Sequence, residues 1–155
     1  MTDTIPAEVE AFVAAARAAL PGERIEHYKL RNFGPTMTDT LVALLLAGEK
    51  TGTFALGAEF EADPAAAPRV GDCFVITRFQ GPPVLIYRIT EAQVVPYGDI
   101  GHEHVQVEGP NARDVGKWRD VHWRYWGDKL RLMGREPSMD MPVIFQRLQV
   151  IYPPR

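Results

Sequence analysis

Apolar residues recur at intervals of three and four in Val9, Phe12, Val13, Ala16 and Leu20, and Pro21-Gly22 follows. This spacing predicts an amphipathic helix that Pro6 opens and the Pro-Gly pair stops. A second helix is expected after the loop containing Asn32, Gly34 and Pro35. Thr36 or Thr38 would cap it, Leu41, Leu44 and Leu45 would face inward, and Gly48 would end it. The β-formers Thr51, Thr53 and Phe54 predict a strand within residues 50–60, and the Asp63 to Pro68 stretch reads as a loop. Residues 73–79 and 84–95, rich in β-branched and aromatic side chains, predict a hairpin about Gly81-Pro82-Pro83. Asp114 caps a third predicted helix from Val115 to about Met133, closed by Gly134 and Pro137, and a last strand runs from Val143 to Tyr152. Helices flanking a run of short strands, without β-α-β alternation, predict an α+β fold: a small β-barrel or strongly bent sheet with flanking helices.

Composition narrows the class. A chain of 155 residues with 46% hydrophobic residues can fill one core, so one compact domain is expected. A net charge of −3 leaves no global positive field for non-specific binding of nucleic acid. The longest strongly apolar run, Leu41 to Ala47, is far short of a membrane span, and the first sixteen residues hold no Lys or Arg. A cytoplasmic protein without membrane contact is therefore expected. One cysteine, Cys73, supplies neither an intrachain disulfide nor a thiolate cluster, and His102 and His104 beside Glu103 complete no ligand set. No metal and no cofactor are expected.

Two segments can carry chemistry. Gly48-Glu49-Lys50-Thr51-Gly52-Thr53 places an amine and two hydroxyls beside glycines, at a helix end that leads into a strand. The run lacks the Walker spacing, so it is not read as a nucleotide phosphate loop, and its local sequence alone favours a solvated turn with a C-capping glycine. Strand alternation would send Lys50 and Thr53 to opposite faces, so convergence requires a bend near Gly48 or Gly52. The other segment is the third helix, which carries Trp118, Trp123 and Trp126 together with His122 and Tyr125. Trp118, Val121, His122, Tyr125 and Leu132 form one stripe and Trp123, Trp126, Leu130 and Met133 another. One stripe could line a groove that stacks a base, or both could pack in the core or in a homodimer. Lys117, Arg124 and Arg131 recur every seven residues, with Asp120 and Asp128 placed to balance Arg124.

Taken together, Asn32-Phe33-Gly34, the run from Leu46 to Thr53, Val70-Gly71-Asp72, Thr90-Glu91, Val95-Pro96-Tyr97, Glu108-Gly109, the run from Trp118 to Trp123, and Asp140-Met141-Pro142-Val143 resemble the ASCH domain family. The resemblance is to its longer bacterial branch, with residues 1–30 as an N-terminal helical extension and 31–155 as the ASCH domain. It implies a small PUA-like β-barrel with helices around it and a cleft across one side. It also implies RNA or a modified nucleoside as partner, with Lys50, Thr53 and Glu108 as catalytic residues and Thr51, Trp118 and His122 as substrate-binding residues. Some relatives are amidohydrolases of N4-acylated cytidine and others are linked with RNA cleavage. The expected function is accordingly action on RNA or a modified nucleoside, with N4-acylcytidine hydrolysis, a ribonuclease and a non-catalytic binding module as its forms. Two departures from the branch concern the rim: Val107 stands where a second acid is common, and Pro110, Asn111 and Ala112 stand where acids often follow Glu-Gly.

Overall fold

The computed structural model describes residues 6–154. Along them run α1 (Ala7–Ala19), β1 (Lys29–Arg31), α2 (Gly34–Leu46), β2 (Gly52–Leu56), β3 (Cys73–Thr77), β4 (Pro83–Pro96), α3 (His102–Val105), α4 (Val115–Leu132) and β5 (Pro142–Tyr152). The α+β expectation holds: the fold is a five-stranded mixed half-barrel with helices around it.

The sheet order is β1-β3-β4-β5-β2, so the two edges are β1 and β2, which adjoin either end of α2. β1 lies parallel to β3 and every other pairing is antiparallel. The 14-residue β4 is the spine, with β3 on one side and β5 on the other. Its register with β5 shifts between Ile86 and Tyr87 and again between Ile89 and Glu91, and β3 shifts at Ile76/Thr77. Such irregularities sharpen local twist and bend a strand, which is how a five-stranded sheet curls toward a barrel.

Three apolar clusters fix what packs where. α1 buries Val9, Val13 and Ala16 against Cys73, Val75, Ile86 and Ile151, as its period requires. α2 sets Val42 and Leu45 on Phe74, Ile76, Leu85 and Tyr87. α4 covers the rest of the sheet through Trp118, Trp126 and Leu130, which meet Phe54, Tyr97, Val143 and Phe145.

Several local expectations shift. α2 starts at Gly34, before both Thr36 and Thr38; Thr38 is buried inside it, where its hydroxyl accepts from Phe33 N at 2.9 Å and donates to Gly34 O at 2.7 Å. The strand expected within 50–60 is shorter, ending at Leu56 before a 3-10 turn over Gly57–Phe60. On α4 the inward line is Trp118, His122, Trp126 and Leu130, each four residues on, while Val121, Tyr125 and Leu132 are exposed. Steps of four drift only about 40° around a helix, so this line stays on one face. Asp114 caps α4 as expected, accepting from Lys117 N at 2.9 Å. Asp128 pairs with Arg131 rather than Arg124. No helix among the described residues is long and apolar enough to cross a membrane.

Candidate active site

α2 ends in a left-handed glycine, Gly48 (φ 74°), and the chain turns there into β2. The bend required of the Gly48-to-Thr53 run is therefore at Gly48, ahead of Lys50. Glu49 N and Lys50 N both donate to Leu44 O, so the segment is tied to the helix it has just left. Lys50, read from sequence as a turn residue, is in fact only 3% exposed. Its Nζ lies 3.1 Å from Glu108 Oε1, and the Glu108 side chain keeps 12% exposure.

Glu108 comes from the other side, on the turn between α3 and α4. Three backbone contacts lace the two segments together. Thr51 N donates to Val107 O at 2.8 Å, Arg113 Nη2 donates to Glu49 O at 2.8 Å, and Arg113 Nε donates to Glu108 O at 2.8 Å. Arg113 thus staples the residue next to Lys50 to the residue bearing the carboxylate. Glycines make the approach close enough. A Cβ on Gly109 would stand 2.6 Å from Leu44 Cδ1, and one on Gly52 would stand 2.4 Å from Gln146 O and 2.7 Å from Val107. Val107 is buried there and packs against β2.

The electrostatics follow from burial. Removal from water pushes the Lys50 amine below the usual lysine range; the charge and hydrogen bond of Glu108 oppose that shift, and the charge of Arg31 adds to it. His122 is likewise held below its ordinary value by burial, with its hydrogen bond to Trp118 O and the charge of Glu108 opposing and the charge of Lys50 adding. Its Nδ1 lies 2.8 Å from Trp118 O. A carbonyl only accepts, so Nδ1 carries a proton and, in the neutral ring, Nε2 is an acceptor.

Lys50, Glu108, His122 and Arg31 therefore share one neighbourhood. Thr53 is 5% exposed on β2, directly across from Gln146 on β5. It lies on the face opposite to Phe54, whose ring touches Trp118 and His122. The Lys50–Glu108 hydrogen bond does not extend to Thr53. Gln146 is fully buried, and its Oε1 has no hydrogen-bond partner among the described residues. Thr51 is exposed. Trp118, 3% exposed, belongs to the core, and the ring stacked on it is that of His122, with centroids 4.2 Å apart. Among the described residues no group of three His, Cys, Asp or Glu side chains is placed to hold a metal ion.

Arg31 and Arg113 were not singled out from sequence. Neither sits in a motif, and each acts through contacts with segments distant in the chain. Replacement of Arg113 by Ala is expected to lower any turnover at this site about tenfold, with a smaller loss in thermal stability, because one part-buried and one exposed hydrogen bond that fix the pair's separation are removed. Steady-state kinetics beside a melting curve checks this.

The ASCH domain family model matches residues 29–152 of the chain. No curated protein matches it. Among solved structures, an ASCH domain from Lactobacillus crispatus superposes with a TM-score of 0.84 at 19% identity, covering 97% of this chain and 98% of that one. A protein of the DUF984 family model from Enterococcus faecalis superposes with a TM-score of 0.81 at 22% identity, over 92% of this chain and 87% of that one. At such identities the likeness speaks for the fold alone, whereas the family model spans most of the sequence: this chain belongs to the ASCH domain family.

Proposed function

We propose that this ASCH domain takes a modified nucleoside and hydrolyses the amide of an N4-acylated cytidine. The observation that carries the reading is the buried Lys50–Glu108 pair, an amine whose basicity is lowered by burial in contact with a carboxylate that still reaches solvent. Amide cleavage requires a base for the nucleophile and an acid for the departing nitrogen, and one hydrogen-bonded pair can serve both steps.

In this reading Lys50, neutral when the ligand binds, takes the proton of the Thr53 hydroxyl as its oxygen adds to the acyl carbon. The proton passes through the pair and Glu108 delivers it to the exocyclic nitrogen, so the C–N bond breaks and cytidine leaves. Water then cleaves the acyl-threonine to a carboxylic acid and restores the hydroxyl. His122 presents Nε2 as an acceptor for the ligand while Trp118 backs its ring, and exposed Thr51 contacts the ligand at the rim. In this reading the Thr53 hydroxyl, which is not hydrogen-bonded to the pair in the free protein, reaches Lys50 in the complex.

The test is product release from N4-acetylcytidine alongside equilibrium binding of the same compound. Turnover is expected in the wild type, with a mild loss in Thr53→Ser and a loss of about a hundredfold or more in Thr53→Ala, because only Ser keeps the attacking oxygen. Binding without turnover would sink the hydrolase reading in favour of a recognition module. Unchanged turnover in Thr53→Ala would make water the nucleophile.

A further inference from the structure

Arg31 stands at the end of one edge strand, β1, and Lys50 just before the other, β2. In a flat sheet these edges would be the two most distant strands. Here the charge of Arg31 nonetheless acts on Lys50. The two cations differ in how they are paired. Lys50 is engaged by Glu108, whereas Arg31 has no carboxylate within ion-pair distance among the described residues.

The Arg31 guanidinium is fixed all the same. Its Nη1 donates to Tyr87 Oη at 3.2 Å, and its central carbon stands 4.9 Å from the centre of the Phe33 ring. Tyr87 is fully buried and burial raises its pKa, so the phenol stays neutral and does not cancel the cation. A guanidinium has five N–H donors in a planar fork, and Tyr87 takes one. The side chain is only half-buried, which leaves the fork within reach of a ligand. α2 begins at Gly34, three residues on, and its N-terminus adds positive potential at the same place. The N–H groups of Phe33 and Gly34 are occupied by Thr38 Oγ1 and Asn32 Oδ1, so recognition there falls to Arg31.

We propose that Arg31, braced by Tyr87 and Phe33 beside the start of α2, is a phosphate-binding subsite next to the Lys50–Glu108 pair, so that the ligand is a phosphorylated nucleoside rather than a free one. A mononucleotide and an RNA strand present the same phosphate chemistry to the fork. The nucleoside half of this inference rests on the function proposed above; the phosphate half does not.

Calorimetric titration of wild type, Arg31→Gln and Arg31→Lys separates the two. The probes are N4-acetylcytidine, its 5′-monophosphate, a short RNA containing the same nucleotide, and inorganic phosphate. The monophosphate or the RNA is expected to bind the wild type about tenfold or more tighter than the nucleoside. That ratio is expected to fall to near one in Arg31→Gln, and Arg31→Lys, which keeps charge without the fork, is expected to lie between. Whichever of the two phosphorylated probes loses more with Arg31→Gln identifies the source. Equal affinity for nucleoside and nucleotide, or a preference that survives Arg31→Gln, overturns the proposal. If no cytidine compound binds but inorganic phosphate binds in an Arg31-dependent way, the subsite stands and the nucleoside reading fails. If phosphate binding is also indifferent to Arg31, the subsite is refuted on its own terms.

Discussion

Replacement of Lys50 by Met is expected to lower turnover of N4-acetylcytidine by about a thousandfold while the protein remains folded, because in the proposed mechanism the amine is the base, and a missing base or oxyanion partner raises the barrier by about 4 kcal/mol. Met suits the test better than Ala. Lys50 is buried, so truncation to Ala would also open a cavity costing roughly 2 kcal/mol or more, and lost activity would be confounded with lost fold. Met fills the space and removes only the amine. Glu108, left without its partner, still reaches solvent and can be hydrated, so the penalty of an uncompensated buried charge is blunted. The pH profile supplies an independent readout. Burial lowers the Lys50 pKa from 10.5, and the proposed mechanism uses the neutral amine, so it expects kcat/KM to rise with pH along a limb lying below 10.5. That limb should vanish in Lys50→Met. A profile falling over the same range would mean that the charged amine is the working form and acts on an oxyanion. Lys50→Met turning over at the wild-type rate would remove the pair from the mechanism.

Gly52→Ala is expected to be the most damaging conservative change in this part of the chain. An added Cβ meets Gln146 O at 2.4 Å and two atoms of Val107 at 2.7 Å, distances no real Cβ tolerates. Gln146 O belongs to the strand paired with β2, and Val107 is one residue from Glu108, so neither neighbour gives way as a flexible side chain would. We expect a loss of about 3 kcal/mol, seen as a fall of about 10 °C in Tm, with turnover falling further than stability because the shift separates Lys50 from Glu108. A melting curve and kinetics on the same preparation check both parts. A Tm unchanged within about 2 °C would show that β2 and the turn bearing Glu108 can move apart freely, and the rigid lacing described here would be wrong.

The expectations that came from local sequence and those that came from the fold divide along physical lines. Helix α1 follows from the spacing of Val9, Phe12, Val13 and Ala16, and the start of α4 follows from Asp114, because a period and a cap are properties of neighbouring residues. The hairpin of β3 and β4 is legible for the same reason, since Gly81-Pro82-Pro83 turns between two β-rich runs. Two short elements, β1 and α3, were not visible. With three and four residues they have no period to detect, and pairing or tertiary contact alone holds them. The start of α2 was misplaced because Thr36 and Thr38 have the chemistry of a cap, and only the folded chain shows Thr38 turned inward to bond Gly34 and Phe33.

Of the candidate site, the residue types and the family pattern marked Lys50, Thr53 and Glu108 as a set, and the glycines marked a bend at 48 or 52, of which the structure takes Gly48. Sequence alone determined that the chain is an ASCH domain of α+β class, because ordered motifs spread along it can be read without coordinates. The tertiary structure decided that Lys50 is buried against Glu108, that Trp118 backs His122 from the core, that the charge of Arg31 acts on Lys50 and that Arg113 binds the segments carrying the pair. Burial and charge proximity depend on how a 58-residue separation between Lys50 and Glu108 is closed, and on how five strands are ordered and curled into one sheet. Neither is written in the spacing of residues along one segment.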